Sequence, residues 1–340
     1  MDDRQRGPKS IDSEQELKMA TQLSTETVQT KVPSWDDLVT FSKSDQSFYD
    51  QVEELKKSRP AFRFKFGQFI LKNFFNNAYS NKFLNFSWHE IIELMADQVV
   101  RNQIIEEDSI KTNENLSPLN QICQRRSTFG QLPCTAKTAR ERAQKIAEYA
   151  DVDSPILILG DDDMVSLQLL EEGYQKVTVV DIDTEILKAI SSAYPDAPKS
   201  LYKCDLRNPP PQDLLNQKFD FVLMDPYYSI DGIKMFLEYA LEVTKDNDNT
   251  HYLLNVHLLS LKKQGLEKLS DLFTSCGLQI QEFYQGFNIY PVPEVIRTMI
   301  GITNRFLMTS KILATNGYSF PYFLSDAILL KKFQASNDKA

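Results

Sequence analysis

The chain has 340 residues, of which 42% are hydrophobic and 25% charged, a composition typical of globular proteins. No apolar run approaches the roughly 20 residues that a membrane-spanning helix needs, which excludes a helical membrane protein. The formal net charge of -9 at pH 7 disfavours nucleic acid as the main partner, because phosphate binding needs a basic patch and the Lys and Arg residues are scattered. A cationic substrate suits this charge better.

The first residues, MDDRQRGPKSIDSEQ, lack the apolar core of a signal peptide. The cysteines lie far apart in the sequence, without the spacing of metal ligands; they are Cys123, Cys134, Cys204 and Cys276. We therefore expect a cytoplasmic protein with reduced thiols.

The N-terminal third divides into a tail and a helical domain. Residues 1–33 are polar and nearly free of aromatic side chains, a composition that predicts a disordered tail. From SWDDLVTF to ADQVVRNQIIEE apolar residues recur at helical spacing, with a helix start at Ser34 and a second amphipathic helix in FSWHEIIELMADQVV. This pattern predicts a small helical domain over 34–120, with the polar stretch 108–118 as linker or exposed loop.

From about residue 155 short apolar runs alternate with helical segments, which predicts an α/β fold with a doubly wound, mostly parallel sheet. Seven strands in this rhythm indicate the Rossmann-like sheet of S-adenosylmethionine-dependent transferases, which we assign to 121–335. An irregular insertion, 284–325, separates the last two strands, and we interpret it as a lid. The runs are PILIL, KVTVVD, SLYKC, FDFVLM, HYLLNVHL, GLQIQEF and DAILLKKF.

Acidic residues follow four consecutive predicted strands, where ligands bind in open α/β sheets. Any one of them alone could simply cap the next helix, but the series favours a nucleoside-binding site. Asp181 lies about 20 residues after Gly160, the separation typical of an acid that binds ribose hydroxyls. The acids are Asp161, Asp162 and Asp163 after the first strand, Asp181 and Asp183 after the second, Asp205 after the third and Asp225 after the fourth.

Three carboxylates in the first turn exclude the usual nucleotide cofactors, since a phosphate-binding loop avoids fixed negative charge. A metal is the weaker alternative, because the calcium-loop pattern is absent and His89, His251 and His257 form no ligand cluster. A cationic ligand explains the turn better. The acidic wall would repel the carboxylate of intact S-adenosylmethionine and would attract both its decarboxylated form and a polyamine acceptor.

Several segments together resemble the branched-chain polyamine synthases, the N4-bis(aminopropyl)spermidine synthases. The resemblance is good over about residues 128–240 and is looser around GFNIYP and the final strand. The Gly-Asp-Asp-Asp motif is its most specific part. The segments are FGQLPCTAKTARERA, LILGDDDMVSLQL, VVDIDTEIL, CDLRNP and FDFVLMDP.

This resemblance implies a winged-helix-like N-terminal domain, a homodimer, and transfer of aminopropyl groups from decarboxylated S-adenosylmethionine, with no permanently bound cofactor. It also implies roles for individual residues. Asp161, Asp162 and Asp163 would face the acceptor amine, Asp181 the ribose, Asp205 the adenine and Asp225 the reacting groups, while Gln131 matches a glutamine ahead of the Thr-rich helix start.

The sequence departs from the family pattern at this point, because the family typically reads Asp-Pro-Pro and this sequence reads Asp225-Pro226-Tyr227-Tyr228. Two tyrosines could form an aromatic wall for an alkylammonium group by cation–π contact. The alternative is that one of them packs in the core.

We take Asp162 as the first choice for the base that deprotonates the acceptor amine, since crowded carboxylates raise one another's affinity for a proton. Two other functions remain open. The DPYY sequence is similar to the motif with which amino-methyltransferases hold a target nitrogen. A non-catalytic polyamine or nucleoside sensor is the other, with FRFKFGQFILKNFF in a partner-binding N-terminal module.

Overall fold

The computed structural model describes six stretches of the chain, and the predicted linker and Gln131 lie outside them. The predicted tail is represented only by its last three residues. The described residues are 31–34, 37–38, 46–57, 87–104, 132–292 without 197, 198 and 246, and 322–333.

Two helices represent the N-terminal domain, α1 (Gln46–Lys57) and α2 (Trp88–Ile104). The second confirms the predicted amphipathic helix and begins at a reciprocal cap. The backbone N–H of Ser87 donates to Glu90 at 2.7 Å, and the backbone N–H of Glu90 donates to the Ser87 hydroxyl at 3.3 Å. Lys56 and Glu93 join the two helices at 2.6 Å. The boundaries of this domain, and its winged-helix-like character, remain predictions.

Seven strands form one mixed sheet in the order β3-β2-β1-β4-β5-β7-β6, which confirms the predicted Rossmann-like transferase fold. Strands β1 to β5 are parallel, and β7 runs antiparallel between β5 and β6. The elements are α3 (Ala136–Ala147), β1 (Ile156–Leu159), α4 (Val165–Glu171), β2 (Val177–Asp181), α5 (Thr184–Ala193), β3 (Lys199–Lys203), α6 (Gln212–Leu215), β4 (Phe221–Met224), α7 (Ile230–Val243), β5 (His251–Val256), α8 (Lys262–Ser275), β6 (Leu278–Pro291) and β7 (Tyr322–Lys332).

Helices cover both faces of the sheet, which explains why its central strands are uninterrupted apolar runs. Alternate residues of β1 point to opposite layers. Leu157 and Leu159 belong to the core shared with α7 and α8, whereas Ile156 and Ile158 belong to the core shared with α3, α4 and α5. The central strand ends are therefore held rigidly from both sides.

The last two strands are longer than the sequence predicted. Residues 284–291 belong to β6 and residues 322–325 to β7, so both ends of the predicted insertion are strand. Two irregularities in register, between Ile280 and Glu282 and between Tyr284 and Asn288, break the alternation by which a strand is recognised. The rest of the insertion, from residue 293, lies outside the described residues.

The first turn of the site depends on a left-handed glycine. Gly160 has φ = +75°, and a Cβ added there would lie 3.7 Å from the Phe236 ring, an ordinary contact. Gly160→Ala should therefore cost about 1–2 kcal/mol of unfolding free energy through backbone strain alone. Urea denaturation checks this, with Gly277→Ala as the matched control, since Gly277 has φ = +65° and open space around it. A clearly larger loss at position 160 would contradict the backbone explanation.

Candidate active site

Asp161 is the first residue of the aspartate turn, residues 161–163, which lies between β1 and α4. Its buried carboxylate accepts hydrogen bonds from the backbone N–H of Val165 at 2.8 Å and of Ser166 at 3.3–3.4 Å. Its own backbone N–H donates to the Asp181 carboxylate at 3.0 Å. Burial raises the pKa of Asp161 to about 7. Asp161 thus ties the start of α4 to the end of β2, and its carboxylate is committed to the backbone.

A buried arginine, Arg142 of α3, binds two of the predicted acids. Its guanidinium donates to the carboxylates of Asp163 and, at 3.0 Å, Asp225. It also donates to the Tyr290 hydroxyl at 2.7 Å and to the side-chain oxygen of Asn288 at 2.9 Å. Only 1% of the Arg142 surface is exposed. Arg142 thus links α3 to the aspartate turn, to the end of β4 and to β6.

Asp225 lies at the centre of this cluster. Besides Arg142, the Tyr290 hydroxyl donates to its carboxylate at 2.9 Å. Burial raises the pKa of Asp225 to about 7; Arg142 opposes this rise and the charge of Asp163 adds to it. Two donors, Arg142 and Tyr290, therefore hold Asp225, the acid that was predicted to lie near the reacting groups.

Asp162 differs from its neighbours on both sides. It is partly exposed, and it makes no hydrogen bond or ion pair with the other residues that the structure describes. Burial raises the pKa of Asp162 well above its usual value, and the charges of Asp163, Asp225 and Asp181 raise it further, while Arg142 lowers it. Asp162 is thus the carboxylate of the turn that is open to a ligand, and its surroundings favour its protonated form.

The two acids after β2 have different positions. Asp181 accepts the backbone N–H of Asp183 at 2.7 Å in addition to that of Asp161, and burial raises its pKa. Asp183 caps α5, since its side chain accepts the backbone N–H of Glu185 at 2.9 Å. This is the capping role that the sequence left open as the alternative.

Asp205 lies at the end of β3, where its carboxylate pairs with a neighbour in sequence. The backbone N–H and Nε of Arg207 donate to it at 3.0 and 2.8 Å. These side-chain and backbone hydrogen bonds from Arg207 lower the pKa of Asp205 to about 2. Asp205 is therefore an ionised, partly exposed carboxylate at the rim of the strand ends.

The two tyrosines after Asp225 point to different surroundings. The Tyr228 hydroxyl lies within hydrogen-bond distance of the Tyr290 and Ser325 hydroxyls, both at 3.1 Å, and its ring stacks on Phe323 with 6.4 Å between the ring centroids. Tyr227 is 49% exposed. Its pKa is raised by burial and by the nearby charge of Asp162. Tyr228 therefore belongs to the interior network, and Tyr227 borders the open side of Asp162.

A second buried network fastens α2 to the sheet. Arg101 donates to Asp97 at 2.8 Å and to Asp326 of β7 at 2.6 Å. Gln98 exchanges hydrogen bonds of 2.9 and 2.8 Å with the backbone of Leu324. Leu324 lies beyond the last residue of β7 that pairs with β5, so Gln98 takes the place of a strand partner there. Helix α2 thus contacts β7 at Leu324, the residue next to Ser325 of the site's hydrogen-bond network.

Sequence reasoning missed Arg142, Tyr290, Asn288 and Ser325. Arg142 lies within the segment TARERA. The pattern of that segment does not show that the arginine is buried in α3 and faces the acids. Tyr290 and Asn288 lie in a segment expected to be irregular.

Two absences concern the described residues only. Among them no group of three His, Cys, Asp or Glu side chains is arranged to hold a metal ion. In the same part of the chain no helix combines the length and apolar character needed to cross a membrane.

The strand order, with acids gathered at the carboxyl ends of the strands, defines an S-adenosylmethionine-type transferase fold with a cluster of acids at the ligand-binding edge of the sheet. A family model described as "Branched-chain polyamine synthase A C-terminal domain" matches residues 120–323. The match covers more than half of the chain, and the chain belongs to the branched-chain polyamine synthase family.

Two curated relatives align over a similar length. An uncharacterised protein of Methanocaldococcus jannaschii is 35% identical over 174 residues, which are 50% of this chain and 43% of that protein. The N(4)-bis(aminopropyl)spermidine synthase of Thermococcus kodakarensis is 26% identical over 171 residues, 48% of this chain and 47% of that enzyme. The chain thus spans about half the length of the curated relatives it matches.

A solved structure agrees in fold. The branched-chain polyamine synthase of Thermus thermophilus, in complex with N4-aminopropylspermidine and 5'-methylthioadenosine, superposes with a TM-score of 0.53 at 15% identity. The match covers 87% of this chain and 92% of that one. At this identity the likeness shows the shared fold alone.

Proposed function

We propose that this protein is an aminopropyltransferase that moves an aminopropyl group from decarboxylated S-adenosylmethionine to an amine of a spermidine-like polyamine and releases methylthioadenosine. The observation that carries the proposal is Asp162, an open carboxylate with a raised pKa beside three further acids. The names of the relatives support the substrate class, since the Thermus enzyme was solved with a polyamine and methylthioadenosine. A cytoplasmic homodimer stays a prediction.

The charge of the site supports the choice of donor. Among the described residues, Arg142 is the cation that faces the carboxylates of Asp163 and Asp225, and the acids Asp162 and Asp181 lie next to them. Such a pocket attracts the sulfonium and terminal ammonium of the decarboxylated donor, and it repels the carboxylate of intact S-adenosylmethionine. The same field attracts a polyamine.

The proposed reaction is an in-line displacement. The lone pair of an unprotonated acceptor nitrogen attacks the propyl carbon bonded to the sulfonium, and the carbon–sulfur bond breaks with its electrons passing to sulfur, which leaves neutral methylthioadenosine. The acceptor nitrogen loses one proton, which Asp162 takes directly or through water. Carboxylates around the cationic groups hold donor and acceptor in line, and this orientation supplies much of the rate gain.

The structure favours this function over methyl transfer. In the methyltransferase interpretation Asp225 of DPYY would hold the target nitrogen, but its carboxylate already accepts from Arg142 and Tyr290. A non-catalytic sensor would bind the same ligands without turnover, so product formation separates that alternative from the proposal.

The test is mass spectrometry of reactions containing spermidine and either decarboxylated or intact S-adenosylmethionine. We expect a product heavier by one or more aminopropyl units, with methylthioadenosine, only from the decarboxylated donor. A methyl-sized increment from the intact donor would overturn the proposal in favour of a methyltransferase. Binding of both ligands by calorimetry without any product would favour the sensor.

Tyr227 provides a prediction for acceptor binding. Its exposed ring borders Asp162, where a cation–π contact to an alkylammonium contributes about 0.5–2 kcal/mol. Tyr227→Leu should therefore raise the KM for the polyamine by about 2- to 30-fold. Tyr227→Phe is the matched control and should stay close to wild type in steady-state kinetics, because it keeps the ring. Equal losses in both variants would assign the effect to the hydroxyl instead.

A further inference from the structure

Arg142 occupies an unusual position, because it is a fully buried cation whose partners come from the turn after β1, the end of β4 and β6. It spans the distance between Asp163 after β1 and Asp225 after β4. Asn288 and Tyr290 of β6 fix the plane of its guanidinium from the other side. Such a fork can satisfy several acceptors at once, which a lysine ammonium cannot do in the same geometry.

The consequence is a division among the acids. Asp161 is committed to the start of α4, and Asp163 and Asp225 are committed to Arg142. The Asp163 carboxylate also accepts the backbone N–H of Cys134, which draws it further toward α3. Asp162 alone in the turn has none of these partners among the described residues.

We propose that Arg142 is a positioning residue that assigns the proton-accepting role to Asp162, because it holds Asp163 and Asp225 away from the acceptor and leaves Asp162 open. This inference rests on the proposed function. Arg142 itself has no proposed contact with the reacting atoms. It acts by orienting two carboxylates and by placing one positive charge near a third.

The direction of the electrostatic effect follows from the groups that face Asp162. Arg142 lowers the pKa of Asp162, and the neighbouring carboxylates raise it. Loss of the guanidinium charge therefore raises the affinity of Asp162 for its proton, so the base becomes available only at higher pH. The charged and titratable groups that act on Asp162 directly are Asp163, Asp181, Asp225, Arg142 and Tyr227. Those groups are faced in turn by Asp161, Cys134, Tyr228 and Tyr290.

The experiment measures kcat/KM against pH for wild type, Arg142→Gln, Arg142→Lys, Asp163→Asn and the double variant Arg142→Gln/Asp163→Asn. In Arg142→Gln we expect the acid limb of the profile to move up by about one pH unit. Arg142→Lys keeps the charge and should keep the limb near that of wild type, while the loss of the fork that holds both carboxylates should lower the plateau of kcat/KM. In the double variant the loss of one anion offsets the loss of the cation, and the limb should return toward wild type.

A merely structural role for Arg142 would lower kcat/KM evenly at all pH values and leave the acid limb in place, and that result would overturn the inference. Methylthioadenosine binding by calorimetry shows that each variant is folded. If Arg142→Gln does not fold, Asp163→Asn and the double variant give the same test, because adding Arg142→Gln to Asp163→Asn must move the limb to higher pH. An inactive wild type would instead overturn the proposed function.

Discussion

Asp162→Asn should lower kcat by about 10²- to 10⁴-fold, the usual contribution of a general base. The same substitution should leave the melting temperature unchanged or slightly higher. Asp162 has no hydrogen-bond partner among the described residues, and the charges of Asp163, Asp225 and Asp181 disfavour its ionised form. Neutralising it removes repulsion without breaking a contact.

Single-turnover kinetics and thermal unfolding on the same preparations check both parts of this prediction. The matched control is Asp213→Asn, an exposed aspartate in the first turn of α6, which should keep full activity. Activity within about tenfold of wild type in Asp162→Asn would remove Asp162 as the base. In that case Asp225, with a pKa of about 7, becomes the next residue to test.

The second large effect concerns the contact between α2 and the sheet. Arg101→Met should lower the free energy of unfolding by about 3–5 kcal/mol, because it leaves Asp97 and Asp326 as buried carboxylates without their cation. Only 3% of Arg101 is exposed, and Asp326 is fully buried. The loss should be largest at neutral pH and smaller in acid: Arg101 helps to lower the pKa of Asp97, so without Arg101 that carboxylate is protonated more readily and loses its charge.

Urea denaturation measures this loss. Lys234→Met is the matched control, since Lys234 pairs with Glu238 on the surface of α7 with about half of each side chain exposed. An exposed pair contributes about 0–1 kcal/mol, so the control should change stability little. A loss at Arg101 no larger than the control would show that α2 is not fastened to β7 as the structure indicates.

Local pattern was sufficient for the sheet. The central strands β1, β2, β4 and β5 appear in the sequence as short, largely apolar runs, because a strand covered by helices on both faces excludes most polar side chains. The acidic site was predictable for a related reason. Parallel strands bring their carboxyl ends to one edge, so acids after β1, β2, β3 and β4 were expected to lie near one another before any contact was known.

The lengths of β6 and β7 were not predictable in the same way. Asn288, Tyr290 and Ser325 are strand residues whose polar side chains point into a buried network, and the shifts in register around Gln281 and Gly286 remove the alternation that would identify a half-buried strand. The rule that polar segments are loops therefore fails where a polar network is buried.

The amino-acid sequence by itself determined the fold class and the set of acids at the strand ends, and it led to the expectation of a cationic ligand, because these follow from local apolar pattern, chain direction and charge. Only the tertiary structure decided what each acid does. Asp161, Asp163 and Asp183 are bound to backbone groups or to Arg142, while Asp162 is left open. Those partners lie in distant parts of the chain, and a carboxylate's role depends on which donors reach it.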